Sequence, residues 1–170
     1  MSVSPDPHRR SGLILLAIAW LLILGGAYWY FDGWYQRQYN PNPQPRAQSE
    51  AAEVVLQRNR DGHYVASGEI NGERVTFLLD TGATQVALSP ALAARLGVKR
   101  GARVTLQTAN GAVLAYETRL ASVRLGSIVA HDVSAVVTAG MEDEAVLLGM
   151  SFLKQTEFTQ RNDQLMLRAR

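Results

Sequence analysis

One carboxylate in this sequence has an unusual setting. Val75-Thr76-Phe77-Leu78-Leu79 is an apolar run that stops on Asp80-Thr81-Gly82-Ala83-Thr84. An acid at the end of a buried strand loses hydration and needs hydrogen-bond partners. Gly82 allows a sharp turn whose backbone N–H groups can point back at the carboxylate. A carboxylate held in this way can take a proton from water or give one to a polar bond. The bland alternative is a polar turn that merely closes a strand, and the unbroken apolar approach argues against it. Asp132, Asp143 and Asp163 lack both the apolar strand and the following Gly.

Other constellations are weaker. Gly149-Met150-Ser151-Phe152-Leu153 is one residue short of a Gly-x-Ser-x-Gly elbow, and no strand–turn–helix unit with a paired His accompanies it. Glu142-Asp143-Glu144 lacks the Gly turn and spaced ligands of a cation loop and reads as a solvated acidic loop. His8, His63 and His131 are scattered without ligand-like spacing. No metal and no cofactor is expected.

The elements that must position Asp80 read as mostly β. Tyr64 to Ile70 and Arg74 to Leu79 flank Asn71-Gly72, the favoured pair of a type I′ hairpin turn. Arg103–Thr108 and Val113–Thr118 flank a second such pair, Asn110-Gly111. Leu120 to Leu125 and Ile128 to Val137 flank Gly126-Ser127, and Glu157 to Gln160 and Leu165 to Arg168 flank Arg161-Asn162-Asp163. One helix is clear: Ser89 is a good N-cap, Pro90 suits the first position, and Gly97 ends it. Ala91, Leu92 and Leu96 form its core stripe. A second short helix begins near Met150. Many short strands with regular turn signals predict a small barrel or sandwich.

Residues 53–170 form this domain. Its thirteen Lys/Arg against twelve Asp/Glu are no footprint for nucleic acid, which wants a clustered basic excess. Cysteine is absent, so disulfide and thiol chemistry are excluded. After a short tail, residues 1–11, the stretch Gly12 to Phe31 is uncharged, apolar and about as long as a bilayer-spanning helix. Trp29, Tyr30, Trp34 and Tyr35 suit a membrane interface. No small-x-small cleavage site follows the run, so it reads as an uncleaved transmembrane anchor, not a signal peptide. Arg9 and Arg10 abut the span and favour a cytoplasmic N-terminus, with the domain outside the inner membrane. Residues 32–52 are the linker. Its Asn-Pro-Asn-Pro-Gln-Pro stretch reads as an extended, semi-rigid tether.

From Tyr64 to Leu167 the sequence resembles the retropepsin-like aspartic proteases, and within them the membrane-anchored bacterial branch. The residues that carry this are Phe77-Leu78-Leu79-Asp80-Thr81-Gly82-Ala83-Thr84, then Thr108-Ala109-Asn110-Gly111, then Leu147-Leu148-Gly149-Met150-Ser151-Phe152-Leu153. The resemblance implies a mainly β, small closed barrel with one or two short helices. It implies peptide-bond hydrolysis in which two carboxylates share one proton and activate a water. Only one Asp-Thr-Gly is present, so the second carboxylate is expected from Asp80 of another copy in a homodimer.

By the same resemblance Asp80, Thr81 and Gly82 are the catalytic motif. Ala83, Thr84, Thr108, Ala109, Asn110, Gly111, Leu148 and Gly149 contact a protein or peptide substrate, with Arg103 to Thr118 as a flap. Retroviral members carry an acid at the position of Thr84 and an Arg at that of Met150, and the ion pair between them cannot form here. The competing class is a membrane-tethered peptide-binding or assembly module that keeps the fold without catalysis.

Overall fold

The computed structural model describes residues 7–47, 53–108, 111–141 and 145–170. Part of the N-terminal tail, residues 48–52 of the linker, the flap-tip pair Ala109-Asn110 and the acidic loop Glu142-Asp143-Glu144 lie outside the described residues. The chain divides into an N-terminal unit ending at Gln38 and a globular unit running from Tyr39 to Arg170.

The first unit is helical. Helix α1 (Pro7–Tyr39) has no proline inside it, and its segment Ser11–Tyr39 is long and apolar enough to cross a membrane. Its large side chains are exposed, Leu22 at 72% and Trp29 at 81%. Both membrane anchors and signal sequences have this character.

The globular unit contains strands β1 (Arg46–Ala47), β2 (Glu53–Gln57), β3 (Val65–Ile70), β4 (Glu73–Leu79), β5 (Val86–Leu88), β6 (Arg103–Thr108), β7 (Gly111–Leu125), β8 (Ile128–Thr138), β9 (Ala145–Leu148), β10 (Thr156–Arg161) and β11 (Gln164–Ala169). Two short helices, α2 (Pro90–Arg95) and α3 (Met150–Leu153), interrupt them. Strands run in the order β3-β4-β9-β5-β8-β7, and β7 pairs back onto β3 through Ile70 and Val123. The result is the closed, mainly β barrel expected from the sequence. Strand β6 extends it beyond β7 as a hairpin, and β1-β2-β11-β10 form a separate four-stranded sheet. Phe77, Leu88, Leu120, Leu125, Leu148 and Phe152 are fully buried in the common core.

Local chemistry explains most boundaries. Asn71 and Gly72 adopt φ of 52° and 86°, as a type I′ turn requires. The Ser89 hydroxyl accepts from Leu92 N–H at 3.2 Å, and Gly97 follows the helix at φ 64°. In one place the sequence reading divides what the fold joins. The expected strands Val113–Thr118 and Leu120–Leu125 are a single strand, β7. No Gly or Pro separates them, so the backbone runs unbroken from the hairpin into the barrel wall. Strands β2, β5 and β9 were not expected. They are short apolar segments with little alternation, which periodicity does not distinguish from other buried pieces.

The linker departs from the expected tether. Helix α1 runs past Phe31 to Tyr39, and the segment after it is bound to the globular unit. Asn42 is buried; its side-chain amide donates to Val65 O at 2.7 Å and Gln57 O at 2.8 Å, and its oxygen accepts from Gln57 N–H at 2.7 Å. The Asn42 carbonyl accepts from Ser67 N–H, and the Asn40 amide reaches the Ser67 hydroxyl. Prolines lack an N–H donor, which is why such a stretch reads as a tether. Asn40, just before Pro41, and Asn42, between Pro41 and Pro43, supply the missing hydrogen bonds.

Candidate active site

Two parallel strands build the site. β4 and β9 pair in register, Leu78 with Leu147 and Leu79 with Leu148, and both end at the same level. Asp80 therefore leaves β4 beside Gly149. The Asp80 N–H donates to Leu148 O at 3.3 Å, and the Ala83 N–H closes the turn on Asp80 O at 3.3 Å. Asp80 is half-buried. Its Oδ1 accepts the Gly82 N–H at 2.8 Å, the backward-pointing donor expected from the sequence. Gly82 does not have a positive φ, so it serves here through its missing side chain. A Cβ at this position would lie 3.1 Å from Asp80 Oδ1.

The loop rests on the start of α3. Met150 N–H donates to Ala83 O at 2.8 Å and Ser151 N–H to Thr84 O at 3.0 Å. A Cβ on Gly149 would lie 2.3 Å from Gln85 O and 2.6 Å from Ala83 O, so only glycine permits this approach. Thr84 and Met150, which cannot form the retroviral ion pair, thus stand on either side of a backbone-to-backbone junction.

The expected site residues do not all fall at one place. Gly82, Ala83, Thr84 and Thr108 line one cavity of about 390 Å³ between the Asp80 loop and the β6–β7 hairpin. Its other wall is largely apolar, with Ala87, Leu106, Val113, Val136, Met141 and Leu147. Asp80 and Thr81 line a second cavity of about 240 Å³ with Tyr64, Leu79, Phe158 and Leu165. Leu148 and Gly149, expected at the substrate surface, lie beneath the loop instead. The Leu148 side chain is fully buried in the core, and both act through backbone approach. Gly111 closes the hairpin opposite Thr108, whose hydroxyl donates to Gly111 O at 2.8 Å. Ala109 and Asn110 are outside the described residues.

Val136 is missed by sequence reasoning, while Leu106 falls within the expected flap and Leu147 within the Leu147–Leu153 segment that carries the resemblance. A signal existed for Leu106, because Val104 and Leu106 share one face of an alternating hairpin strand. None existed for Val136, whose approach to the Asp80 loop depends on parallel pairing of distant strands.

The sequence profile of the family described as "gag-polyprotein putative aspartyl protease" matches residues 66–155, more than half of the chain. The chain belongs to the retropepsin-like aspartic proteases. The crystal structure of a retropepsin-like aspartic protease from Rickettsia conorii is similar at a TM-score of 0.59 and 34% identity, covering 69% of this chain and all of that one. An uncharacterized Sinorhizobium protein, from the cobV 5′ region, is 37% identical over 120 residues, 68% of this chain and 52% of its own length. An uncharacterized protein of Rickettsia prowazekii is 29% identical over 153 residues, 84% of this chain and 64% of its own length. The retropepsin-like chain thus spans about half to two thirds of these curated relatives.

Proposed function

We propose that the chain is an aspartic endopeptidase acting as a homodimer, with Asp80 of each copy forming the acid–base pair. The observation that carries this reading is the setting of Asp80. Its carboxylate stands at the end of a strand anchored in the core by Val75 and Phe77, takes one N–H from its own loop, and borders an open cavity. An acid retained only for stability would be closed off by cations or donors, and no ion pair reaches Asp80 among the described residues.

Two facing carboxylates cannot both ionise readily and share one proton. The charged one takes a proton from a water as that water attacks the peptide carbonyl. The neutral one donates a hydrogen bond to the carbonyl oxygen, and a proton then passes to the leaving nitrogen. Thr81 braces the two loops across the two-fold axis. Strand β10 is the outer strand of the four-stranded sheet, and its Phe158 is 41% exposed beside the cavity that Asp80 and Thr81 line. This exposed edge supports a dimer formed on that side. The hairpin from Arg103 to Thr118 closes over an extended peptide and excludes water. The cavity at Ala83 and Thr84, walled by Leu106 and Val136, takes an apolar side chain.

In this reading α1 is a single-pass anchor in the inner membrane, with the catalytic unit on the extracytoplasmic side. The test is cleavage of a mixed peptide library by the full chain in detergent, with and without a statine-type inhibitor. Inhibitable cleavage by the wild type and its loss in Asp80→Asn, with an unchanged circular dichroism spectrum, are expected. Equal cleavage by the variant would remove Asp80 from the chemistry, and no cleavage by either would favour a binding module.

A further inference from the structure

We propose that Ser151 is a positioning residue for the Asp80 loop, its buried hydroxyl holding the far end of the loop through the Val86 amide. The proposal rests on the reading of Asp80 as an acid–base group. The loop leaves β4 at Asp80 and enters β5 at Val86. Asp80 N–H is held by Leu148 O, and Ala83 O and Thr84 O are held by the N–H groups of Met150 and Ser151. These are backbone bonds, open to many sequences once residue 149 is glycine. The fourth is different: Val86 N–H donates to Ser151 Oγ at 3.0 Å, in a buried setting. Among the described residues it is the side-chain hydrogen bond that ties this loop to residues 148–151.

Ser151 is 6% exposed and Val86 is fully buried, so water has little access to either group. Removing the hydroxyl leaves a buried donor without a partner, the most unfavourable way to lose a hydrogen bond. The side chains of Val86 and Leu88 stay anchored in the core, so strand β5 has other support. The released slack falls on Thr81 to Gln85, the residues that carry the Gly82 N–H to Asp80 Oδ1. The bland account is that serine suits the first turn of a short helix. That account has the hydroxyl serve its own helix, whereas it serves Val86, 65 residues away in sequence. Because Thr84 and Met150 supply no ion pair, Ser151 provides the polar side-chain fastening on this loop.

The test compares the full chain in detergent micelles with Ser151→Ala and Ser151→Thr, by peptidase kinetics and backbone amide NMR. For the alanine variant kcat should fall about tenfold to a hundredfold, with KM held within about twofold. The Gly82 and Val86 amides should shift and exchange faster, while those of β7 and β8 do not. The threonine variant, which keeps the hydroxyl, should recover both readouts. A lower melting temperature with unchanged kcat per folded molecule and an unmoved Gly82 amide would mean a structural role only, and would overturn the proposal. If the wild type cleaves no peptide, the endopeptidase reading fails separately. The Gly82 amide then decides: displaced in the alanine variant it supports positioning, and unmoved it refutes it. Ser151→Cys, similar in volume but a weak acceptor, carries the same expectations if the alanine variant does not fold.

Discussion

Leu79 and Leu148 are directly paired at the ends of two parallel strands, and the next residues along each strand are Asp80 and Gly149. This one register brings together the carboxylate and the glycine that lets its loop lie flat on the following helix. A shift of one residue would turn every side chain of β4 to the other face. Phe77 would leave the core, so the packing that buries Phe77 also sets the height of Asp80.

Gly149→Ala should be severe. The new Cβ would lie 2.3 Å from Gln85 O and 2.6 Å from Ala83 O, both backbone atoms, the second already held by Met150 N–H. Overpacking of this kind destabilises by about 1–3 kcal/mol. Urea unfolding of the purified variant measures it, and a midpoint equal to that of the wild type would show that the loop yields without penalty.

Gly82→Ala should affect activity more than stability. The added methyl would lie 3.1 Å from Asp80 Oδ1 in an exposed loop, with no core to disturb. A stability change below about 1 kcal/mol is expected at such a surface site. Peptidase activity should drop about tenfold or more, as a misplaced acid–base group implies. Wild-type turnover in this variant would mean that the carboxylate tolerates the displacement.

Asn42→Ala should destabilise the globular unit although it lies in a proline-rich stretch. Gln57 N–H, Gln57 O and Val65 O would lose their partner. Buried groups left unpaired carry about 1–3 kcal/mol each at most, and partial access of water lowers that figure. A fragment beginning at Glu53 should likewise unfold at lower urea than one beginning at Tyr39. Identical curves for the two fragments would show that the asparagine contacts contribute nothing.

Specific activity of the fragment from Tyr39 to Arg170 should rise with protein concentration, because only a dimer carries two copies of Asp80. Fusion to an unrelated dimeric partner should sustain activity on dilution. Sedimentation and peptidase assays over one dilution series test both. A fragment that is monomeric and fully active would refute the shared pair of carboxylates. A dimer that persists to nanomolar concentration would show instead that confinement by α1 is not needed for assembly.

The amino-acid sequence by itself determined much of this protein. The apolar run into Asp80-Thr81-Gly82, the Asn71-Gly72 turn, the Ser89 cap and the apolar α1 segment are local signals, carried by neighbouring residues and legible without a fold. Only the tertiary structure decided what stands around Asp80. The parallel pairings of β4 with β9 and of β5 with β8 join segments far apart in the chain, and no local pattern encodes a partner at that distance. Leu147, Val136 and the Ser151 hydroxyl reach the loop through those pairings. Leu148 and Gly149, by contrast, were placed under the loop and not on its surface. Asn42 shows the same limit from the other side. Its surroundings in sequence are those of a solvated tether, and only the arrival of Gln57 and Val65 gives its amide something to bind. Short-range hydrogen bonds and hydrophobic periodicity are properties of a segment; which segments meet is a property of the packed whole.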